Sequence, residues 1–412
     1  MKKRVVVTGI GAVTPIGIGK EEYWNALRAG KCGIDTITRF DASEFTAQIA
    51  GEVKDFEPAD YMNKKEAKRM DRFTQFAVAA AGMALEDSKI DMEKITPERF
   101  GTIIGSGVGG IETLETQHKK LEAKGPNKVS PFLIPMMILN MATGHVSMQF
   151  GAKGPNSSVC TACASSTNAI GDAFKVIQRG DADLMFAGGA EASITPLGMA
   201  GFCTMKALST RNDDPQSASR PFDVDRDGFV MGEGSGVVIL EELEHALARN
   251  ATIYGEIAGF GSSADAYHIT SPAPEGEGAT RSMKMAINDA GITPQDVQYI
   301  NAHGTSTPYN DKFETMAIKN LMGDHAKNIF VSSTKSMTGH LLGSSGAVET
   351  IAVMLALKEG FVHGTMGMHN QDPECDLNVL ANKGVEADVQ YALSNSLGFG
   401  GHNATLCFKQ YK

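Results

Sequence analysis

Residues 158–193 read SVCTACASSTNAIGDAFKVIQRGDADLMFAGGAEAS, and this stretch decides the fold class. A turn leads into a helical segment, Ala164–Gln178, and an apolar strand, Leu184–Ala187, then ends at two glycines. Strand-like and helix-like segments alternate in this way along the whole chain. Such alternation is typical of α/β proteins, and we expect mainly parallel sheets. The other predicted strands are Arg4–Thr8, Gly101–Gly105, Gly236–Leu240, Val297–Ala302 and Ile329–Ser332. The other predicted helices are Lys20–Leu27, Phe73–Leu85, Ile134–Met148, Glu277–Ala290, Glu314–Leu321 and Gly346–Leu357.

A second stretch, residues 332–360, repeats the turn and long helix as SSTKSMTGHLLGSSGAVETIAVMLALKEG. A strand that ends in Gly precedes each stretch, and an apolar strand with a Gly-Gly pair follows it. In the second half this last element is the run Leu393–Phe408, which predicts a hairpin around a Gly-rich loop. We therefore expect two similar halves, residues 1–250 and 251–412, packed into one body. Paired α/β halves place a functional site at their junction, near the ends of strands.

Composition excludes several classes of protein. The 412 residues are 42% hydrophobic and 21% charged, which is enough for a large core and argues against disorder. The net charge of −10 argues against binding to nucleic acid. No stretch approaches the ~20 apolar residues of a membrane span. Six cysteines are too few for a disulfide scaffold, and a reducing, cytoplasmic location is the simplest expectation.

The first predicted strand runs into Gly9-Ile10-Gly11, which partly matches a dinucleotide-binding fingerprint. The third glycine of that fingerprint is replaced by Thr14, and Pro15 follows at once. A single incomplete match of this kind is weak. We therefore favour a structural turn over a nucleotide site.

Cys160 and Cys163 form a CxxC pair, which could serve redox exchange or half of a zinc site. No second CxxC is present to complete a zinc site. Cys163 directly precedes a long helix and has small neighbours, which leave room for an incoming carbonyl group. The helix dipole is expected to lower the pKa of this thiol toward a reactive thiolate. We therefore favour Cys163 as a nucleophile, whereas Cys160 and the other four cysteines are expected to be inert and buried.

Two of the ten histidines stand at the carboxyl ends of strands or in the turns beyond them. His303 ends an apolar strand and enters Gly-Thr-Ser-Thr-Pro, and His340 lies within SMTGHLLGSSG. Together with Cys163 they make a Cys-His-His set. Lys335 and Glu349 flank His340, and Glu349 falls within a strongly apolar helix. We expect that carboxylate to be buried with a partner rather than to form a solvated ion pair.

Four motifs with these residues appear in a set order: VCTACASSTNAIGDA, NAHGTSTPYNDKFE, STKSMTGHLLGSSGAVE and SNSLGFGGHNA. In these motifs and across nearly its whole length, the chain resembles the β-ketoacyl-[acyl carrier protein] synthases. These are thiolase-fold condensing enzymes of fatty-acid synthesis, and the likeness is greatest to the type II synthases. The resemblance implies a thiolase-like αβαβα five-layer sandwich, built from two similar halves and assembled as a homodimer. It implies acyl- and malonyl-loaded acyl carrier protein as the partner, and no cofactor or metal.

The same resemblance implies roles for particular residues. Cys163 takes the acyl chain, and the backbone N–H groups of Cys163 and Phe399 form an oxyanion hole. His303 and His340 hydrogen-bond the enolate that forms when malonyl loses its carboxylate. Lys335, paired with Glu349, orients His340. Phe399 also resembles the family's gate, carried on a loop of glycines.

Substrate contacts follow from the resemblance as well. Thr305 and Thr307 correspond to residues that hydrogen-bond the pantetheine arm. The acyl pocket is expected to reach the dimer interface in the first half, and its lining comprises Gly107, Val108, Leu133, Ile134, Gly198 and Phe202. Many members have Phe in place of Leu397 and Leu133, and Ile in place of Val108. These departures bear on the preferred chain length and leave the chemistry unchanged.

A basic run between residues 64 and 72 is a candidate docking surface for the carrier protein. A solvated helix face is the usual meaning of such a run. In an acidic chain whose implied partner is also acidic, we favour docking. Lys65, Lys68 and Arg72 are expected to share one helical face. The predicted docking residues are Lys64, Lys65, Lys68, Arg69 and Lys206.

Other members of the wider superfamily remain as alternatives. A thiolase proper needs a second cysteine in the C-terminal Gly loop, and residues 398–402 contain none. A type III synthase has Asn in place of one of the two histidines. A non-catalytic chain-length partner subunit lacks the nucleophile, which Cys163 argues against. Type I specificity stays open because types I and II share the Cys-His-His set.

Overall fold

The computed structural model describes residues 2–412, which form fifteen strands and thirteen α-helices. The strands are β1 Val5–Thr14, β2 Gly17–Ile18, β3 Ile34–Thr36, β4 Ile49–Gly51, β5 Phe100–Gly105, β6 Asn156–Val159, β7 Leu184–Glu191, β8 Gly234–Glu242, β9 Gly255–Ala264, β10 Tyr299–Asn301, β11 Phe330–Ser332, β12 Phe361–Val362, β13 Val385–Glu386, β14 Tyr391–Gly398 and β15 His402–Lys409. The helices are α1 Lys20–Ala29, α2 Lys64–Ala67, α3 Arg72–Ser88, α4 Ile111–Lys124, α5 Leu133–Met137, α6 Asn140–Phe150, α7 Ser165–Arg179, α8 Pro196–Thr204, α9 Leu243–Ala248, α10 Glu277–Ala290, α11 Pro308–Met322, α12 Lys335–Thr338 and α13 Ser345–Glu359.

Ten of the strands form two five-stranded groups with the same internal order. One group runs β6-β5-β7-β8-β1 and the other runs β11-β10-β14-β15-β9. In each group the first three strands are parallel and the last two pair antiparallel. The prediction of mainly parallel sheets is therefore wrong, because β8 and β15 return as antiparallel neighbours. The predicted C-terminal hairpin is confirmed as β14 and β15.

Helices α7 and α13 form the middle layer between the two groups of strands. Every residue of α13 from Ser345 to Leu357 is buried, as expected of a helix that is covered on all sides. Helices α3 and α6 cover the outer face of the first group, and α10 and α11 cover that of the second. This arrangement confirms the five-layer sandwich. Short antiparallel pairing between β1 and β9 joins the two groups at Val5–Val7.

The glycines of the apparent fingerprint lie in the interior of β1, so the prediction of a turn there is wrong. A Cβ on Gly9 or Gly11 would lie 2.2 or 1.9 Å from a carbonyl oxygen of α3. The counterpart strand β9 has the same feature, since a Cβ on Gly259 or Gly261 would lie 2.2 or 2.0 Å from a carbonyl oxygen of α10. The repeated Gly-x-Gly therefore lets an outer helix lie directly against its strand, and no nucleotide-binding turn forms.

Two further differences concern helices of the first half. The predicted helix Ile134–Met148 is divided into α5 and α6, because Ile138 adopts an extended conformation with ψ 139°. Helices α4 and α8 were not predicted. No helix within residues 2–412 combines the length and the apolar character that crossing a bilayer demands.

Candidate active site

A cavity of about 570 Å³ lies where the two halves meet, and both halves supply its walls. It opens beside the ends of β5, β10 and β14, in the position that paired α/β halves predict. Cys163, His303 and His340 all line it, so the structure brings the predicted set together. The other predicted site residues in its lining are Gly107, Val108, Phe202, Lys206, Thr305, Thr307 and Phe399.

A tight turn presents Cys163 just before the first turn of α7. Ala162 has a φ of +49°, in the left-handed region that residues with a side chain rarely adopt. The Ser165 hydroxyl fixes this turn, since it accepts from the Thr161 N–H at 2.9 Å and donates to the Ala162 carbonyl at 2.7 Å. Asn168 adds a bond of 2.8 Å from its amide to the Thr161 hydroxyl. These contacts hold a strained backbone in place, as is common at functional sites.

The acidity of Cys163 differs from expectation. Burial raises the pKa of this thiol to about 12, against the opposing effects of the Lys335 charge and of the backbone N–H groups of Phe399 and Cys163. Glu191 raises it further through its negative charge. The predicted lowering by the helix dipole is therefore wrong for the unloaded site, because desolvation of the thiolate outweighs it. The thiol is protonated at neutral pH and must lose its proton when it attacks.

The two cysteines of the CxxC pair form no disulfide and differ in exposure. Cys160 and Cys163 are both free thiols, and Cys160 is exposed, contrary to the expectation that it is buried. Cys32 and Cys203 are half-buried, whereas Cys375 and Cys407 are buried as expected. Within residues 2–412, no group of three or more His, Cys, Asp or Glu side chains could hold a metal ion.

His303 and His340 face each other edge to face, with ring centroids 5.3 Å apart and an interplanar angle of 85°. Both rings are buried. Burial lowers the pKa of each well below its ordinary value, and the positive charge of Lys335 lowers it further. Both imidazoles are therefore neutral at physiological pH. The Nδ1 atom of His340 lies 2.9 Å from the Ser345 hydroxyl, which fixes the orientation of that ring.

Two buried carboxylates on α11 hold the loop that carries His303. Glu314 accepts from the N–H groups of His303 at 2.8 Å and Gly304 at 2.9 Å. Asp311 accepts from the Thr305 N–H at 3.0 Å. Burial raises the pKa of Glu314 to about 7. Both residues lie within the motif NAHGTSTPYNDKFE and no role was predicted for them, although acidic side chains on the covered face of a helix indicate a buried function.

Lys335 and Glu349 form an ion pair in the core beside the two histidines. Their side chains are 1% and 0% exposed. The Thr334 hydroxyl donates to the same carboxylate at 3.4 Å. The expected burial of Glu349 with a partner is confirmed. The ammonium group of Lys335 is a fixed positive charge near both imidazoles and the Cys163 thiol, and it lowers the pKa of all three groups.

The predicted acyl-pocket residues fall into two groups. Gly107, Val108 and Phe202 line the cavity of the single chain. Leu133 and Ile134 lie outside it on α5, where Leu133 is half-buried and Ile134 is 57% exposed. Gly198 is buried within α8 and also lies outside the lining, because it packs against the backbone of Ser193.

The predicted docking surface is largely exposed, but its geometry differs from expectation. Lys64, Lys65, Lys68 and Arg69 are all exposed on α2 and the turn that follows it. The backbone leaves the helix after α2 and α3 begins only at Arg72, so the prediction of one shared helical face is wrong. Arg72 itself binds the buried carboxylate of Glu233 through two bonds, of 2.8 and 3.0 Å. Lys206 is exposed at the mouth of the cavity.

Two family models together match most of the chain. Residues 2–246 match the family described as Beta-ketoacyl synthase, N-terminal domain, and residues 254–369 match Beta-ketoacyl synthase, C-terminal domain. The chain belongs to the β-ketoacyl synthase family and is an enzyme of that family.

Two curated relatives of the same name are similar to this chain over its full length. The chain is 57% identical over 411 residues to 3-oxoacyl-[acyl-carrier-protein] synthase 2 of Synechocystis sp. (strain ATCC 27184 / PCC 6803 / Kazusa), covering 100% of this chain and 99% of the relative. It is 55% identical over 410 residues to the protein of the same name from Staphylococcus aureus (strain COL), with the same coverage of both chains.

Solved structures share the whole architecture. The ishigamide ketosynthase/chain length factor superposes with a TM-score of 0.94 at 36% identity, and a β-ketoacyl synthase from Burkholderia phymatum STM815 with 0.92 at 35%. A third structure, with a TM-score of 0.94 at 35% identity, is described as a type II PKS acyl-carrier protein in complex with its ketosynthase. All three matches cover 100% of both chains. The chain therefore has the thiolase-like fold that its motifs predicted.

Proposed function

We propose that Cys163, His303 and His340 carry out a decarboxylating Claisen condensation of malonyl-[acyl carrier protein] with an acyl group held on Cys163. Condensing elongation in fatty-acid synthesis is the activity that the family and the full-length relatives support. One observation carries the assignment of residues: a buried thiol, two neutral imidazoles and the Phe399 N–H meet in one cavity. A non-catalytic chain-length subunit is not favoured, because the nucleophile is present.

Acyl transfer to Cys163 is the first step. The thiol attacks the thioester carbonyl of the acyl-loaded carrier while its proton passes to a neutral imidazole of the histidine pair. The N–H groups of Cys163 and Phe399 already favour negative charge on the sulfur. In the same position they stabilise the oxyanion of the tetrahedral intermediate. The imidazole returns this proton to the carrier sulfur, which leaves as a thiol when the acyl-Cys163 thioester forms.

Malonyl decarboxylation is the second step, and it requires hydrogen-bond donors. Cleavage of the carbon–carbon bond releases the carboxylate as carbon dioxide and leaves an enolate on the carrier-bound thioester. Neutral N–H groups of His303 and His340 donate to that oxygen. Burial keeps both rings neutral, and the Lys335 charge adds to this effect. The enolate carbon then attacks the acyl-Cys163 carbonyl and displaces the Cys163 sulfur. The product is a β-ketoacyl chain, two carbons longer.

The exposed basic cluster is the proposed docking surface for the carrier. Its members are exposed on α2 and the turn after it, or in the case of Lys206 at the cavity mouth, in a chain whose net charge is −10: Lys64, Lys65, Lys68, Arg69 and Lys206. Opposite charge on an acidic carrier steers its approach to this surface. The pantetheine arm then reaches Thr305 and Thr307, whose hydroxyls are 2.9 Å apart at the cavity wall. The structure of a ketosynthase with its carrier protein supports this class of partner.

We further propose a cytoplasmic homodimer with the halves dividing near residue 250. In the first half, large apolar side chains are exposed on α5, α6 and α8 and just before α5, among them Phe132, Ile134, Met148 and Leu197. Edge strand β6 lies on the same half and has a free side. A second copy on this face would let Leu133 and Ile134 complete the acyl pocket of its partner. Six free thiols are consistent with a reducing compartment.

Three single-residue variants test the assignment. Cys163→Ala is expected to abolish elongation, whereas Cys160→Ala, three residues away and exposed, retains it. His303→Ala is expected to lose malonyl decarboxylation while Cys163 still becomes acylated. The readouts are product formation, carbon dioxide release and acyl-enzyme mass. Full condensation by Cys163→Ala, or intact decarboxylation by His303→Ala, would refute the roles given to these residues.

A further inference from the structure

Glu191 is a buried carboxylate that the catalytic steps above do not use. It is the last residue of β7 and is 0% exposed. Over residues 2–412, no Lys, Arg or His side chain pairs with it, and the groups that oppose the burial-induced rise of its pKa are backbone N–H groups. A buried carboxylate without a cationic partner is costly unless several hydrogen bonds replace its lost hydration.

Four backbone N–H groups from two separate segments converge on this carboxylate. Its Oε2 atom accepts from Gly107 at 2.8 Å and from Gly343 at 3.1 Å. Its Oε1 atom accepts from Val108 at 3.2 Å and from Gly109 at 3.3 Å. The hydroxyls of Ser106 and Ser193 also donate to Oε1, at 3.2 and 3.3 Å. One side chain thus satisfies a nest of donors that has no other carboxylate acceptor.

The two segments come from opposite halves, and both form walls of the active-site cavity. The loop after β5 contributes Gly107 and Val108 to the lining, and the turn after His340 contributes Leu342. The segments are in direct contact, since a Cβ on Gly343 would lie 2.2 Å from the Gly107 nitrogen and 2.8 Å from Oε2 of Glu191. The carboxylate oxygen therefore joins the acyl-pocket wall to the turn that follows a catalytic histidine.

We infer that Glu191 is a positioning residue that clamps the loop 106–109 against the turn 342–344, and so fixes the width of the acyl pocket beside Cys163. The inference rests on the proposed function of Cys163 as the acyl acceptor. A long acyl chain must pass the Val108 wall, whereas a short acyl group does not need to reach it. Loss of the clamp therefore penalises transfer of long chains more than transfer of short ones.

Glu191→Gln changes the shape of the side chain very little. It replaces one carboxylate oxygen with an amide nitrogen, which cannot accept a hydrogen bond from the backbone N–H groups that this oxygen binds. We expect kcat/KM for Cys163 acylation to fall about tenfold with a long-chain acyl carrier substrate, the scale set by losing hydrogen bonds to a charged group. We expect less than about a twofold change with an acetyl or butyryl substrate. In contrast, alkylation of Cys163 by iodoacetamide at a fixed alkaline pH becomes faster, because Glu191 no longer opposes the thiolate. Unfolding of the site would slow long- and short-chain transfer alike.

Two further variants keep the test decisive. Ser106→Ala removes one hydroxyl donor and leaves the charge, so it slows long-chain transfer in the same direction without faster alkylation, even if Glu191→Gln does not fold. Glu241→Gln removes a different fully buried carboxylate on the neighbouring strand β8, outside the cavity, and leaves the ratio of long- to short-chain transfer unchanged. If the ratio of long- to short-chain transfer is unchanged in both Glu191→Gln and Ser106→Ala, the inference about the clamp is overturned. Acylation of Cys163 in the wild type would still support the proposed function in that case. Absence of acylation in the wild type and in Glu241→Gln overturns the proposed function instead.

Discussion

Replacing Lys335 with Met removes the cation of the buried ion pair and leaves Glu349 with only the Thr334 hydroxyl. The carboxyl group then has two options, and both cost free energy: it stays charged in the core, or it takes up a proton. Burial already raises the pKa of Glu349 above its ordinary 4.5, and Lys335 is the main group that opposes this rise. We therefore expect Glu349 in Lys335→Met to be protonated at neutral pH.

The cost of that protonation follows from the pH. Keeping a carboxyl with an unfolded-state pKa near 4.5 protonated at pH 7.5 costs about 4 kcal/mol, since each unit of pH above the pKa costs about 1.4 kcal/mol. This agrees with the 3–5 kcal/mol that breaking a buried ion pair costs. At pH 5.5 the same calculation gives about 1.4 kcal/mol. Because the folded-state pKa is raised, the unfolded state binds fewer protons, and stability falls as pH rises above 4.5.

Urea unfolding followed by circular dichroism at pH 5.5 and 7.5 measures both numbers. The free energy of unfolding of Lys335→Met, relative to wild type, is expected to drop by about 4 kcal/mol at pH 7.5 and by about 1.4 kcal/mol at pH 5.5. The double variant Lys335→Met with Glu349→Met removes both charges and is expected to recover most of the loss, without the added pH dependence. A loss below about 1 kcal/mol at pH 7.5, or one independent of pH, would refute the reasoning.

Three further predictions follow from other parts of the molecule. Lys65→Glu with Lys68→Glu is expected to raise KM about tenfold for carrier-bound substrates and to leave KM for small thioester mimics unchanged, and equal effects would remove the docking surface. His363 is buried, and desolvation lowers its pKa to about 4. Below pH 6.5 the unfolded state takes up a proton that the folded state does not, so the free energy of unfolding is about 2 kcal/mol lower at pH 5 than at pH 8. His363→Asn is expected to lack this pH dependence when thermal unfolding is measured at both pH values. Gly261→Ala is expected to cost about 1–3 kcal/mol in denaturant unfolding, because its Cβ would lie 2.0 Å from a carbonyl oxygen, whereas Gly201→Ala meets nothing within 4 Å and is expected to be neutral or stabilising.

Periodicity and motif order predicted the architecture from the sequence, since the repeated turn and helix around Cys163 and His340 marked two halves. Strand direction was not predicted, because an apolar segment such as Gly236–Leu240 has the same pattern whether its neighbour runs parallel or antiparallel. The glycines of β1 were misassigned for a related reason. Gly9 and Gly11 are glycines because the backbone of α3 lies too close for a Cβ atom. Helix α3 is distant in sequence, so the local pattern around these glycines does not predict the contact.

The sequence predicted which residues form the candidate site, but it did not predict the acidity of the Cys163 thiol. Cys163, His303, His340 and their neighbours were named from motifs, and they meet in one cavity. The direction of the Cys163 pKa was wrong because the helix dipole is visible in sequence whereas the depth of burial is not. Arg72 was placed on one helical face with Lys65 and Lys68, because sequence gives no sign of its distant partner Glu233.

The short pairing of β1 with β9 at Val5–Val7 has a consequence for biosynthesis. β1 is made before its two long sheet neighbours, β8 and β9, which end at Glu242 and Ala264. At about 5–20 residues per second, a ribosome needs roughly 12–50 s to supply those neighbours. During that interval β1 can contact the short strand β2 and helix α3, but its pairing with β8 and β9 cannot form. The pairing that joins the two halves at Val5–Val7 therefore forms only after β9 has been made.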